Sequence, residues 1–287
     1  MKAAFIGISK NAMNIAYTIK EMSKNAKIPP VTVCGIYGTD IEATVNAAVF
    51  LNVKAYFSLN DLLGEADILF ISANDNNLSI FADMLKENHV QNKILCHFSS
   101  SLDSDTLFCG YANTYASFYM PFAKETNKVQ NLSDECIMVE GDGKQFDEFA
   151  NALTSLGDAF KIADKSDKSL AILANHFATD FVMTVLDAAV RLYKFAGVYS
   201  PKSFADFFNR TVAGSAELEE GRTREFTTGR SPRADEISIR KTFSLLNTLN
   251  CSDLKDIYRV LETHTLNADK YSVEERENLI SLLKRLR

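Results

Sequence analysis

The chain has 287 residues, with 31 Lys and Arg against 37 Asp and Glu, and a formal net charge of −6. That length permits one large domain or two medium ones. A composition of 46% hydrophobic and 24% charged residues excludes a disordered chain, because there is apolar surface enough to offset chain entropy. The acidic total excludes a general nucleic-acid binder, which needs clustered phosphate-neutralising cations.

The first apolar run, residues 3–8, is too short for a secretory leader. No run approaches the roughly 18–20 residues of a spanning helix. A cytoplasmic location without a membrane partner is the expectation. Further short apolar runs at 31–37, 68–72, 94–98, 115–118 and 137–139 read as strands. Between them, 12–22, 41–51, 78–86 and 146–156 carry helical spacing. Alternating strands and helices with near-continuous apolar strands predict an α/β fold, a doubly wound and mostly parallel sheet covered on both faces.

Beyond about residue 165 the strand signals stop. Ser166 reads as the N-cap of a long helix with Leu170, Leu173, Phe177, Phe181, Val185, Ala189 and Tyr193 on one stripe, ending at Gly197. More helices are predicted over 235–249, 253–266 and 273–286, and 214–232 reads as a loop. The expected domains are therefore a sheet domain, 1–165, and an all-α C-terminal domain, 166–287. Charge follows the same division: 13 basic against 20 acidic residues in the first, 18 against 17 in the second, with all 11 arginines at or after Arg191. The apolar circumference of the long helix, including Val182, Met183 and Leu186, predicts a homodimer through the helical domain. Five widely spaced cysteines without a CxxC pair support neither a zinc site nor a disulfide framework, and no metal is expected.

The first strand runs into Gly7, Ile8, Ser9, Lys10, Asn11 and Ala12 and then a helix, the context of the dinucleotide fingerprint G-x-G-x-x-G/A. Gly7 suits the tight turn and Ala12 close helix packing, whereas Ser9 stands where the middle glycine lets backbone approach pyrophosphate. The second strand ends near Thr39 and Asp40, where an acidic residue would accept the ribose hydroxyls of NAD; Asp40 reads equally as a helix N-cap. Lys10 is the only cation evident nearby for NADP. Ser72, Ala73, Asn74 and Asp75, with Ser99, lie at strand ends facing the ligand crevice, and each is also an ordinary turn former. His97 precedes the serines.

On the long helix, Asn175, His176 and Asp180 form a candidate proton-handling group, His176 and Asp180 being four residues apart; a solvated pair is the alternative. Arg222, Arg224, Arg230 and Arg233 fall within twelve residues, ahead of Asp235. Guanidinium forks match carboxylate or phosphate in a planar, bidentate way. The segment is either an anion clamp or a solvated loop.

The segments 5–7, 67–72, 97–100, 120–122 and 228–235 resemble a family of candidate NADP oxidoreductases of unassigned substrate, with a Rossmann-like domain followed by a helical domain of unknown function. The helical half is similar to the dimerisation domains of 6-phosphogluconate-dehydrogenase-like enzymes, including ketopantoate and pyrroline-carboxylate reductases. The resemblance implies a nicotinamide cofactor, NADP or NAD, and matches Arg233 and Asp235 to the Arg and Asp of the family's terminal motif; with Arg230 of the same segment and Met120 they are the candidate substrate-site residues. The chain departs from the family at Ser9, at Met120-Pro121-Phe122 where His-Pro-Leu is usual, at Ile172 and Asp180 where a His and an Asn are usual, and at Ala234 for a glycine. Two functions follow: a reductase of a small anionic carbonyl or imine compound, or a catalytically inactive nucleotide- or metabolite-binding regulatory relative.

Overall fold

A computed structural model of the chain describes residues 1–24, 26–121, 128–216, 235–266 and 271–286. Along β1 (Lys2–Ile6), Ala3 and Phe5 point into one buried cluster, Ala4 and Ile6 into another. A strand buried on both faces must be apolar at every position, which is why the sequence run is continuous rather than alternating.

β1 is followed by α1 (Lys10–Ser23), β2 (Thr32–Tyr37), α2 (Ile41–Leu51), β3 (Lys54–Tyr56), α3 (Leu59–Glu65), β4 (Ile68–Ile71), α4 (Asp75–Glu87) and β5 (Ile94–His97). Then come β6 (Thr114–Tyr119), β7 (Ile137–Asp142), α5 (Phe146–Thr154) and β8 (Phe160–Ile162). The eight strands are ordered β3-β2-β1-β4-β5-β6-β7-β8. The first six are parallel neighbours in the Rossmann order; β7 reverses against β6, and β8 runs parallel to β7. The doubly wound, mostly parallel sheet is thus as expected, with the two short strands β3 and β8 and the short helix α3 added.

α6 (Lys165–His176) starts from Asp164, not from Ser166: Asp164 and Asp167 form a reciprocal capping box. A π-helical turn, Phe177–Phe181, leads into α7 (Val182–Phe195), and Gly197 at φ +71° marks the stop. The chain divides into two compact units, Met1–Ala178 and Thr179–Arg287. The first extends past the last strand because Lys168 on α6 is buried against the sheet. Among the described residues the second unit has no strand. It contains α7, α8 (Pro201–Ala216), α9 (Glu236–Thr248), α10 (Ser252–Thr265) and α11 (Val273–Arg285). α8 replaces the start of the expected loop, since 214–216 are helical; Pro201 supplies the preset φ of a first helical residue. Ile239, Phe243, Leu266 and Leu283 form one buried cluster of this unit, and Ala188, Leu246, Cys251 and Leu254 another.

The long helix departs from expectation in a further respect. Lys165–Phe195 is long and apolar enough, by length and composition, to cross a membrane. Asn175, His176 and Asp180 interrupt its apolar run in the sequence. Its stripe is solvent-facing in the single chain, Leu170 being 64% and Phe177 61% exposed.

Candidate functional site

The order of the strands reverses between β1 and β4, and in open α/β sheets the ligand crevice lies at the carboxyl ends of the strands there. Gly7 makes the turn out of β1 at φ +91°, a conformation that disfavours a side chain. A Cβ at this position would stand 2.5 Å from Ser72 O, so only glycine fits. The turn is pinned on both sides: Gly7 N donates to Tyr37 O at 2.8 Å, and Ser72 N donates to Ile6 O at 2.8 Å.

Ser9 caps α1, its Oγ accepting from Ala12 N at 3.4 Å, and Ser72 Oγ donates to the same oxygen. The side chain that replaces the middle glycine is therefore tied down across the mouth of the two strands. A cleft of about 440 Å³ opens there, lined by Ser9, Asn11, Ser72, Ala73, Asn74, Asn77, Phe81 and Phe98. Its size lies in the range of small-molecule sites. Among the described residues, hydroxyls, amides and two aromatic rings line it, with no charged side chain.

Five of the expected cofactor residues meet in this cleft: Ser9, Asn11, Ser72, Ala73 and Asn74. Gly7 and Ile8 form the turn leading to it, Ala12 lies on the buried face of α1, and Lys10 opens that helix. Thr39 and Asp40 lie past the end of β2, both exposed. Asp40 is the N-cap of α2, its Oδ1 accepting from Ala43 N at 3.0 Å. Asp75 is the first residue of α4. Ser99 is buried, and its Oγ accepts from Ser101 N and Leu102 N. That hydroxyl shapes the turn after β5.

His97 is fully buried, with Nδ1 accepting from Ser99 N at 3.1 Å and Nε2 3.0 Å from Asp103 O. This pattern assigns the neutral ring with its proton on Nε2, and burial pushes the imidazole pKa below its usual value. His97 thus holds the loop after β5. Met120 follows β6, half-buried against the sheet core.

Tyr119, the last residue of β6, has its hydroxyl pKa raised by burial and hydrogen-bonds the side chain of Asn175. His176 ends α6 and Asp180 lies within the π-turn, both exposed. The i,i+4 neighbour relation of an ordinary α-helix is therefore altered where the candidate pair sits; π-turns recur at functional sites. Asp235 caps α9 in a capping box, its Oδ1 accepting from Ser238 N at 2.7 Å and its own N–H donating to Ser238 Oγ at 3.0 Å. Arg222, Arg224, Arg230 and Arg233 lie outside the described residues.

Sequence reasoning missed Asn77 and Phe81, which are four residues apart on one face of α4 and lie three and seven residues after Asn74. It also missed a buried ion pair. Lys168 Nζ is 3.8 Å from Glu140 Oε1, both side chains at most 2% exposed. Lys168 donates to Leu102 O at 2.6 Å and Ser117 Oγ at 2.5 Å. Glu140 accepts from Ser104 N, Ser104 Oγ and Ser117 Oγ at 2.6–2.9 Å. A glutamate ending the apolar run 137–139 was the available signal. Among the described residues, no group of three His, Cys, Asp or Glu side chains could hold a metal ion.

Residues 135–265 match a sequence family described as a domain of unknown function, DUF2520. Among solved structures, the chain is similar to a candidate NADP oxidoreductase from Bacteroides fragilis, at 18% identity and TM-score 0.61 over 91% of this chain and 95% of that one. It is also similar to protein TM1727 from Thermotoga maritima, at 14% identity and TM-score 0.59 over 99% and 97%. A variant imine reductase from Myxococcus stipitatus, in complex with NAD+, aligns at 14% identity and TM-score 0.61 over 97% and 98%. No curated protein matches in sequence. These likenesses establish a Rossmann-like fold with a helical C-terminal part, and the resemblance drawn from the sequence holds.

Proposed function

We propose that the protein is a nicotinamide-dependent reductase of a small anionic carbonyl or imine compound. The cleft between Gly7, Ser9 and Ser72 at the strand-order reversal carries this reading. Its closely packed glycine turn and its lining of hydroxyl and amide groups fit a dinucleotide. The imine reductases among the structural neighbours support the imine side of this reading. When bound, the cofactor supplies the hydride. Gly7 and Ser9 receive the dinucleotide, with Asn11 and Asn74 offering amide contacts along the cleft. His176 or Asp180, with Asn175, handles the proton, while Arg230 and Arg233 hold the substrate anion and Asp235 fixes the start of α9.

The active form is a homodimer in which the exposed stripe Leu170, Leu173, Phe177, Phe181 and Val185 is covered by a second copy. A cytoplasmic location accords with five free thiols. One observation favours a second reading, a non-catalytic nucleotide or metabolite sensor: the Ser72–Ser9 hydrogen bond stands where pyrophosphate would approach.

Thermal shift with NAD, NADP and their reduced forms tests the dinucleotide reading. Ligand at 100 times its dissociation constant adds about 2.7 kcal/mol, an easily visible rise. An unchanged midpoint with all four at millimolar concentration refutes it. In the same assay Arg233→Lys abolishes the shift from a substrate analogue while leaving the unliganded midpoint unchanged, because an ammonium cannot reproduce a guanidinium fork. An intact analogue shift refutes the clamp.

A further inference from the structure

We infer that the cleft selects NAD(H) over its 2′-phosphorylated counterpart, with Asp40 as the discriminating residue; this rests on the dinucleotide reading above. In a doubly wound sheet the adenosine ribose sits past the carboxyl end of the second strand, where a carboxylate accepts its hydroxyls or an arginine accepts a 2′-phosphate. Here that strand end is tied to the glycine turn through the Gly7 N–H to Tyr37 O hydrogen bond. The connection to α2 is tight. A Cβ on Gly38 would meet Thr44 Oγ1 at 2.5 Å, and Thr44 Oγ1 donates to Asp40 O at 2.5 Å.

Asp40 is thus fixed by its backbone and by one carboxylate oxygen, Oδ1, on Ala43 N. The other oxygen is left at an exposed position beside the strand end. An immobilised carboxylate is a good acceptor for a ribose diol. A 2′-phosphate there would set two negative groups against each other. The sequence offers no relief nearby, since residues 28–53 contain neither Lys nor Arg. The flanking Lys54 is engaged by Glu65, and Lys20 donates to Leu51 O. Lys10, at the first position of α1, is the one cation close to the glycine turn in sequence.

Equilibrium titration of the full chain with NADH and with NADPH, followed by nicotinamide fluorescence, tests this without an activity assay. NADH should bind at least tenfold more tightly. Asp40→Asn retains the cap, because Asn and Asp rank alike at that position. It should bring the two affinities within about threefold, with melting unchanged. Thr39→Arg added to Asp40→Asn should reverse the order. NADPH binding as tightly as NADH to the unmodified chain overturns the inference and leaves the dinucleotide reading standing; loss of that binding in Lys10→Ala would locate the phosphate there. An affinity ratio unmoved by Asp40→Asn likewise overturns the role of Asp40. Absence of binding by either nucleotide at millimolar concentration overturns the dinucleotide reading itself, and the inference with it.

Discussion

Replacing Glu140 by Gln separates charge from hydrogen bonding in the buried network between β6, β7 and α6. The amide can still accept from Ser104 N and Ser117 Oγ, and the Ser104 hydroxyl can rotate to accept from its NH2 group. What disappears is the negative charge 3.8 Å from Lys168 Nζ. Breaking a buried pair from one side costs roughly 3–5 kcal/mol. The loss also has a ceiling, because Lys168 can shed its proton. From an ordinary pKa of 10.5, discharge at pH 7 costs about 4.8 kcal/mol at about 1.36 kcal/mol per pH unit. At pH 9 the same ceiling falls to about 2 kcal/mol. Burial already lowers the Lys168 pKa in the folded protein. The unfolded chain therefore holds the proton up to higher pH, and this site's contribution to stability rises with pH between the folded value and 10.5. In the variant that window widens, and its deficit should shrink with rising pH. Urea unfolding at pH 7 should show a loss of about 3–5 kcal/mol, and at pH 9 no more than about 2 kcal/mol. A deficit below about 1 kcal/mol at pH 7, or one equal at both pH values, would refute the account of a desolvated charge held by its partner.

Ser9→Gly should bind dinucleotide more tightly by titration, since it removes the side chain bridging to Ser72, while costing only a few tenths of a kcal/mol in capping. Unchanged or weaker binding would show that the hydroxyl itself contacts the ligand. Asp235→Ala should cost about 1 kcal/mol through the lost cap of α9, seen as a lower urea midpoint without change in slope. His97 is neutral and buried, so stability is fully present above the unfolded pKa of 6.5 and is lost as pH falls from there to the lower folded value. His97→Gln should flatten the pH dependence between 5 and 7, and identical slopes would refute the assignment.

Much of the fold was legible because local signals agreed with the tertiary answer. α2 has the expected bounds, 41–51, because Asp40 caps one end and Asn52, in the left-handed region, closes the other. β3 and β8, three residues each, are too short to show a period, and α3 has only seven residues. α8 escaped notice although Phe204, Phe207 and Phe208 follow helical spacing after Pro201. In the site, Ser9, Asn11 and Ser72 to Asn74 were legible because a parallel sheet brings the ends of β1 and β4 together. Lys168 and Glu140 were not, since no local pattern announces two charges 28 residues apart that neutralise each other in the interior.

The π-turn at Phe177–Phe181 has a consequence for helical phase. Phe177, Phe181, Val185, Ala189 and Tyr193 follow one another at intervals of four residues. On an α-helix of about 3.6 residues per turn each such step advances about 40° beyond a full turn, so a long series of fours spirals off its face. A π-turn closes its hydrogen bond one residue later and turns the chain less per residue, taking back part of that drift. The extra residue acts as a phase corrector in the stripe. Recasting 177–181 as ordinary α-helix with every residue kept should rotate Val185, Ala189 and Tyr193 by one residue's turn, ~100°, relative to Leu170 and Leu173. All the side chains of the stripe would still be present in the chain, but they would no longer form one face.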